Sequence, residues 1–141
     1  HYNTLSKLNC ILASIEANKL KYDEGIMNDP YGNISTCNST NLFFIKKGQV
    51  WTSTGKFCLN GITRSKAIHI CHINEIPCLE TNFTFEDIKD CEEAFVTGTF
   101  AGIIPVTKIE THKLSSTNSN SLVNKIRASY NQYINQYISS Q

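Results

Sequence analysis

Glu93-Ala94-Phe95-Val96-Thr97-Gly98-Thr99-Phe100-Ala101-Gly102, set beside Leu59-Asn60-Gly61-Ile62-Thr63-Arg64, decides how this chain folds. In the first stretch an apolar run of strand character breaks at glycine and threonine. In the second, Gly61 opens an apolar stretch that reads as a helix over 62–73, ending near Asn74. Each puts glycine and threonine where an apolar strand hands over to a turn or helix. A helix N-terminus has unpaired amides and the positive end of the dipole, and glycine lets an anion come close. The amides of Ile62 and Thr63 would point outward, and the Thr63 hydroxyl would add a donor. Alone, Gly61-Ile62-Thr63 would merely cap a helix. With Gly98-Thr99 as a second donor turn, the pair points to a bound phosphate.

Outward from these motifs the chain reads as one α/β unit. Leu5, Leu8, Ile11, Leu12, Ile15 and Ala17 recur near helical period over 5–20. Short strands over 23–28 and 33–37 flank the turn Asp29-Pro30-Tyr31-Gly32-Asn33. Leu42-Phe43-Phe44-Ile45 and Gln49-Val50-Trp51-Thr52 flank Lys46-Lys47-Gly48, a hairpin signal. A strand over 78–83, a short helix over 84–89 and strands over 93–97 and 103–109 follow. Residues 111–121 read as a Ser/Asn-rich linker. Leu122, Ile126, Tyr130, Tyr133 and Tyr137 then mark one face of a closing helix over 122–138.

Composition narrows the class. The 141 residues fit one domain, and 40% apolar with 18% charged residues is ordinary for a globular core. A net charge of +1 gives no electrostatic case for nucleic acid or a membrane surface. No apolar run approaches the ~20 residues of a membrane-spanning helix. The chain opens on His1 rather than methionine, as a processed piece or fragment would. Cys10, Cys37, Cys58, Cys71, Cys78 and Cys91, with sequons at Asn33, Asn38 and Asn82, would suit a secreted module if the thiols were paired. So many Asn, Ser and Thr residues make three sequons a chance expectation, however. The cysteines mostly sit beside apolar neighbours, where a reduced thiol behaves as a small hydrophobe. His69, Cys71, His72 and Cys78 lack a CxxC knuckle, and Cys71 leaves the face shared by the two histidines, so no metal is expected.

The two motifs together resemble the large domain of the class IV (fold type IV) pyridoxal-phosphate enzymes: branched-chain and D-amino acid aminotransferases and aminodeoxychorismate lyase. The resemblance runs from about residue 3 to 110. It implies an α/β fold, the C-terminal large domain of fold type IV, with a mixed sheet or pseudo-barrel and flanking helices. Residues 1–141 would be that single cofactor-binding domain, without the smaller N-terminal domain. The implied cofactor is pyridoxal 5'-phosphate, the implied reaction amino transfer between an amino acid and a 2-oxo acid. The resemblance also implies a homodimer for the full-length form, in the cytoplasm or an organellar matrix.

Residue by residue, the resemblance assigns the phosphate to Gly61, Ile62 and Thr63, completed by Gly98 and Thr99. Leu59 would pack on the pyridine ring, and the amides of Phe100 and Ala101 would take the substrate carboxylate. The segment Ile34-Ser35-Thr36-Cys37-Asn38-Ser39-Thr40-Asn41-Leu42-Phe43 looks like the one supplying the ring-nitrogen partner. Here Thr36 stands where better-known branches carry glutamate, with Asn38 and Ser39 as further contacts. A neutral hydroxyl can hydrogen-bond the nitrogen but cannot hold a proton there by charge.

Two departures stand out. Asn3-Thr4-Leu5-Ser6-Lys7-Leu8-Asn9 matches the family's Lys-x-Leu-Asn segment with Asn3 in place of the cofactor-bearing lysine. An amide can neither carry the cofactor nor move its proton, and Lys7, about one helical turn away, reads as a solvated surface residue. The glycine-bearing turn before the last helix is replaced by Leu114-Ser115-Ser116-Thr117-Asn118-Ser119-Asn120. A catalytically inactive homologue serving as a structural or regulatory subunit, and an aminodeoxychorismate-type lyase, are the alternative readings.

Overall fold

Leu42-Phe43-Phe44-Ile45 is apolar without alternation, the pattern of a strand buried on both faces. The computed structural model, which describes residues 7–139, places it there. Strand β3 (Asn41–Lys46) lies at the centre of a five-stranded sheet between β4 (Gln49–Thr52) and β6 (Glu93–Gly98), antiparallel to both. Beyond β4 the parallel strand β5 (Cys78–Glu80) forms one edge, and beyond β6 the antiparallel β7 (Gly102–Val106) forms the other. The sheet is therefore mixed.

The two faces of β3 and β6 carry two cores. Phe43, Ile45 and Phe95 face α2 (Ile62–Ile73) and α4 (Leu122–Ser139), against Ile70, Val123 and Ile126. The Phe43 and Phe95 rings stack 4.6 Å apart at 7°. Phe44, Ala94 and Val96 face the other way, onto Phe83, Ile88 and the ribbon of β1 (Ile26–Asn28) and β2 (Ile34–Cys37). The fold is α/β with a mixed sheet and flanking helices, as the resemblance implies. The β1–β2 ribbon and the short helix α3 (Phe85–Ile88) close the second face.

Three expectations change. Helix α1 (Leu8–Lys19) forms within the periodic stretch, but Leu8, Ile11, Leu12 and Ile15 stay exposed and only Ala17 of the helix is buried. Periodicity gives the helix, not what covers its stripe. The strand expected over 103–109 is divided into β7 and β8 (Lys108–Ile109), which pairs with β9 (His112–Lys113). Residues 111–121 are also more than a linker. Ser116, fully buried, accepts the Ala94 amide at 2.8 Å, and Ser121 Oγ accepts the Asn124 amide at 3.1 Å as the cap of α4. Glu93 on β6 takes the Leu122 and Val123 amides at 3.0 and 2.8 Å. The hydroxyls that look like linker composition pin the first turn of α4 to the sheet, where free amides need acceptors.

All six cysteines are free, with Cys37, Cys58, Cys71 and Cys91 buried. A hydrogen bond between the Cys71 and Cys78 thiols, together with burial, pushes Cys71 up, and the same bond lowers Cys78 against the effect of burial. Burial, aided by Glu24, pushes the Cys37 thiol up to about 12. Burial, aided by Glu92 and Asp90, pushes Cys91 up to about 11. A thiol whose pKa is raised on folding holds its proton more tightly in the native state. Its contribution is complete below the ordinary value of 9.0 and is lost as pH climbs through the raised ones. The urea midpoint should therefore fall between pH 9 and 11 more steeply than that of a Cys37→Val/Cys91→Ala variant. Equal slopes would show that these thiols titrate as in the unfolded chain. Among the described residues no helix is long and apolar enough to cross a membrane.

Candidate functional site

Gly61 is the extended N-cap of α2, at φ −64° and ψ 146°, with no side chain capping the helix. Its carbonyl accepts the Ser65 amide at 3.0 Å, which leaves the amides of Ile62 and Thr63 without intrahelical partners. The site is close-packed from behind. A Cβ at Gly61 would lie 2.7 Å from Asn41 Oδ1, and Asn41 Nδ2 donates to the Leu59 carbonyl at 2.9 Å. Asn41, 8% exposed, thus ties the approach to α2 onto the start of β3.

The second motif meets the first through the same segment. Asn41 is the cross-strand partner of Thr97, one residue before Gly98. A Cβ at Gly98 would sit 3.4 Å from the Thr40 methyl. Thr99, Phe100 and Ala101 form a three-residue loop closed by the pair Gly98 and Gly102, with Gly102 in the left-handed region at φ 66°. The structure therefore joins Gly61-Ile62-Thr63 and Gly98-Thr99 through Thr40 and Asn41. Thr63 is buried, whereas Ile62, Thr99, Phe100 and Ala101 are exposed and Leu59 is half-exposed.

On β2, the Thr36 hydroxyl donates to the Thr40 carbonyl at 2.8 Å. Its hydrogen is committed, so Thr36 Oγ1 meets a ligand only as an acceptor. Asn38 Oδ1 takes the Gly25 amide at 2.6 Å, so this side chain holds the turn and keeps only its amide hydrogens for a ligand. Ser39 is bound to Glu24. Asn3 lies outside the described residues. Lys7, the N-cap of α1, is exposed.

Sequence reasoning passed over Thr40, Asn41 and Thr97. The signal for Asn41 was a polar residue opening a strand otherwise buried on both faces. Thr97 Oγ1 is buried with no hydrogen-bond partner, at the end of β6 next to the donor turn. An orphaned buried hydroxyl is costly. With the close approach at Gly61 and the free amides of α2, it fits a strand end built to receive a polar group. Behind the helix start, Arg64 is 4% exposed and donates to the Ser53 carbonyl at 2.6 Å and to Glu80 at 2.7 Å, which anchors the 53–60 loop. A cavity of about 700 Å³ lies elsewhere, between α1 and the sheet, lined by Ala17, Ile26, Leu42, Val96 and Val106. It touches neither donor turn.

The family model for amino-transferase class IV matches residues 1–109. The chain belongs to the class IV aminotransferases. It is 36% identical over 110 residues to branched-chain-amino-acid aminotransferase-like protein 2 of Arabidopsis thaliana, covering 78% of this chain and 19% of that one. It is 33% identical over 108 residues to a D-alanine aminotransferase of Listeria monocytogenes, covering 76% and 37%. Among solved structures, an aminotransferase from Brucella abortus bound to pyridoxal phosphate superposes with a TM-score of 0.84 at 25% identity, covering 90% of this chain and 45% of that one. The chain thus spans less than half the length of each. Class IV aminotransferases use pyridoxal phosphate.

Proposed function

We propose that this chain is the cofactor-phosphate half of an aminotransferase site, acting in amino transfer between an amino acid and a 2-oxo acid. The observation that carries the reading is the convergence of Gly61-Ile62-Thr63 and Gly98-Thr99 on the shared Thr40–Asn41 support. The amides of Ile62 and Thr63, the Thr63 hydroxyl and Thr99 would hold the phosphate. Leu59 would lie against the ring, and Thr36 would accept from a protonated ring nitrogen. The amides of Phe100 and Ala101 would orient the substrate carboxylate. When bound, pyridoxal phosphate supplies an electron sink and a carrier for the amino group. Phe100 is fully exposed, and Ile62 and Leu59 are exposed beside the donor turns. Such a face suits completion by the further chain that the longer relatives have.

Asn3 favours a second reading, a homologue that binds the cofactor without performing the reaction. Both are tested by adding pyridoxal phosphate, reducing with borohydride and mapping the added mass. The unmodified chain is expected to show saturable, phosphate-competed binding and no reduced adduct near residue 3. Asn3→Lys is expected to gain an adduct at that position. Amino transfer by Asn3→Lys in a longer form carrying the preceding domain would exclude the purely structural role. Absence of saturable binding to the unmodified chain would sink the phosphate site.

A further inference from the structure

Glu24 sits between α1 and β1 and reaches across to a segment 15 residues on. Its Oε1 accepts the Ser39 hydroxyl, and its Oε2 accepts the Ser39 amide at 3.3 Å and the Thr40 hydroxyl at 3.1 Å. The neighbouring Gly25 reinforces this grip: its amide donates to Asn38 Oδ1 at 2.6 Å, and its carbonyl accepts the Asn38 amide at 3.1 Å. The Thr40 carbonyl, in turn, accepts both the Cys37 amide at 2.9 Å and the Thr36 hydroxyl at 2.8 Å.

Threonine carries its hydroxyl and its methyl on one torsion. Binding Thr40 Oγ1 to Glu24 therefore also decides where Thr40 Cγ2 points, and that methyl stands beside Gly98, 3.4 Å from where a Cβ there would lie. Asn41, the next residue, holds Leu59 and abuts Gly61. One carboxylate thus grips the segment that spaces the two donor turns. No charged partner competes for it in the hydrogen bonds and ion pairs among the described residues.

We propose that Glu24 is a positioning residue of the phosphate site, setting the Gly98–Thr99 turn against the start of α2 through the single side-chain torsion of Thr40. The inference rests on the phosphate reading above. Glu24 touches no ligand itself. Its effect is transmitted, so Glu24 and Thr40 act as one unit.

The test uses the full chain, pyridoxamine 5'-phosphate titrated by fluorescence, and amide hydrogen exchange without ligand. Glu24→Ala should weaken binding about tenfold, and Glu24→Gln, keeping one acceptor oxygen, should weaken it less. Thr40→Val keeps the bulk but loses the hydroxyl. Combining it with Glu24→Ala should be no worse than Glu24→Ala alone within about twofold, because coupled residues are not additive. Losses that multiply, or a Glu24→Ala chain that binds like the unmodified one, would overturn the proposal. Without ligand, Glu24→Ala should speed exchange at Thr99–Gly102 while the core strands β3 and β6 keep theirs. A merely structural role would speed exchange in all of them alike and so would overturn it. If the unmodified chain fails to bind, the phosphate reading falls and exchange alone decides: faster only at Thr99–Gly102 upholds the positioning role, and unchanged there refutes it.

Discussion

Gly61→Ala is expected to weaken phosphate-ester binding at least tenfold, a loss of about 1.4 kcal/mol or more. The added Cβ would lie 2.7 Å from Asn41 Oδ1, closer than side-chain carbons come to any neighbour. Asn41 has little freedom to yield. It is 8% exposed, and its Nδ2 is engaged by the Leu59 carbonyl at 2.9 Å and by Cys58 Sγ at 3.7 Å. The first turn of α2 must move instead, which displaces the Ile62 and Thr63 amides from the place proposed for the phosphate. Overpacking of this kind also costs about 1–3 kcal/mol of stability. Gly98→Ala is the internal control. There the new carbon would meet the Thr40 methyl at 3.4 Å, an ordinary contact, so affinity should stay within about threefold. Titration of both variants with pyridoxamine 5'-phosphate makes the comparison. Equal losses would mean that close approach at Gly61 is not what shapes the site.

Phe43→Ala is expected to cost about 3–5 kcal/mol, a large share of the about 5–15 kcal/mol that holds a domain together. Phe43 is wholly buried on the central strand, packed with Phe95 in a parallel stack at 4.6 Å and with the facing sides of α2 and α4. Its loss would leave a cavity between sheet and helices that neither layer can close, since β3 is hydrogen-bonded on both sides. Urea denaturation should show the midpoint displaced strongly downward. Phe57→Ala, on a half-exposed ring, should move it little. A Phe43→Ala chain as stable as the parent would place the core elsewhere.

Much of the architecture was legible because its signals are local. The helix over 62–73 matches α2 residue for residue, since glycine before it and a left-handed turn after it punctuate the chain. The hairpin at Lys46-Lys47-Gly48 was written in one glycine between two apolar runs, and the structure gives Gly48 a φ of 72°. Leu122, Ile126, Tyr130 and Tyr133 of the closing stripe pack against the sheet's first core as their spacing implies, while Tyr137, read as its last member, is exposed. The candidate site was legible as a pair of motifs. Gly61-Ile62-Thr63 and Gly98-Thr99 announce donor turns by residue type and resemblance, without saying what holds them together.

Local pattern thus decided where helices, strands and glycine-bearing turns lie, because backbone propensity and burial period act over a few residues. Tertiary structure decided what joins them. Asn41 reaches Leu59, Glu24 reaches Thr40, and Ser116 reaches Ala94, each across a separation that no period records. It also left the α1 stripe exposed, because an amphipathic pattern states that a face is apolar and not what covers it. Hydrogen bonds between distant polar side chains and backbone depend on three-dimensional placement alone. That is why Thr36, Asn38 and Ser39, read as ligand contacts, are found engaged in holding the turn on which the candidate site rests.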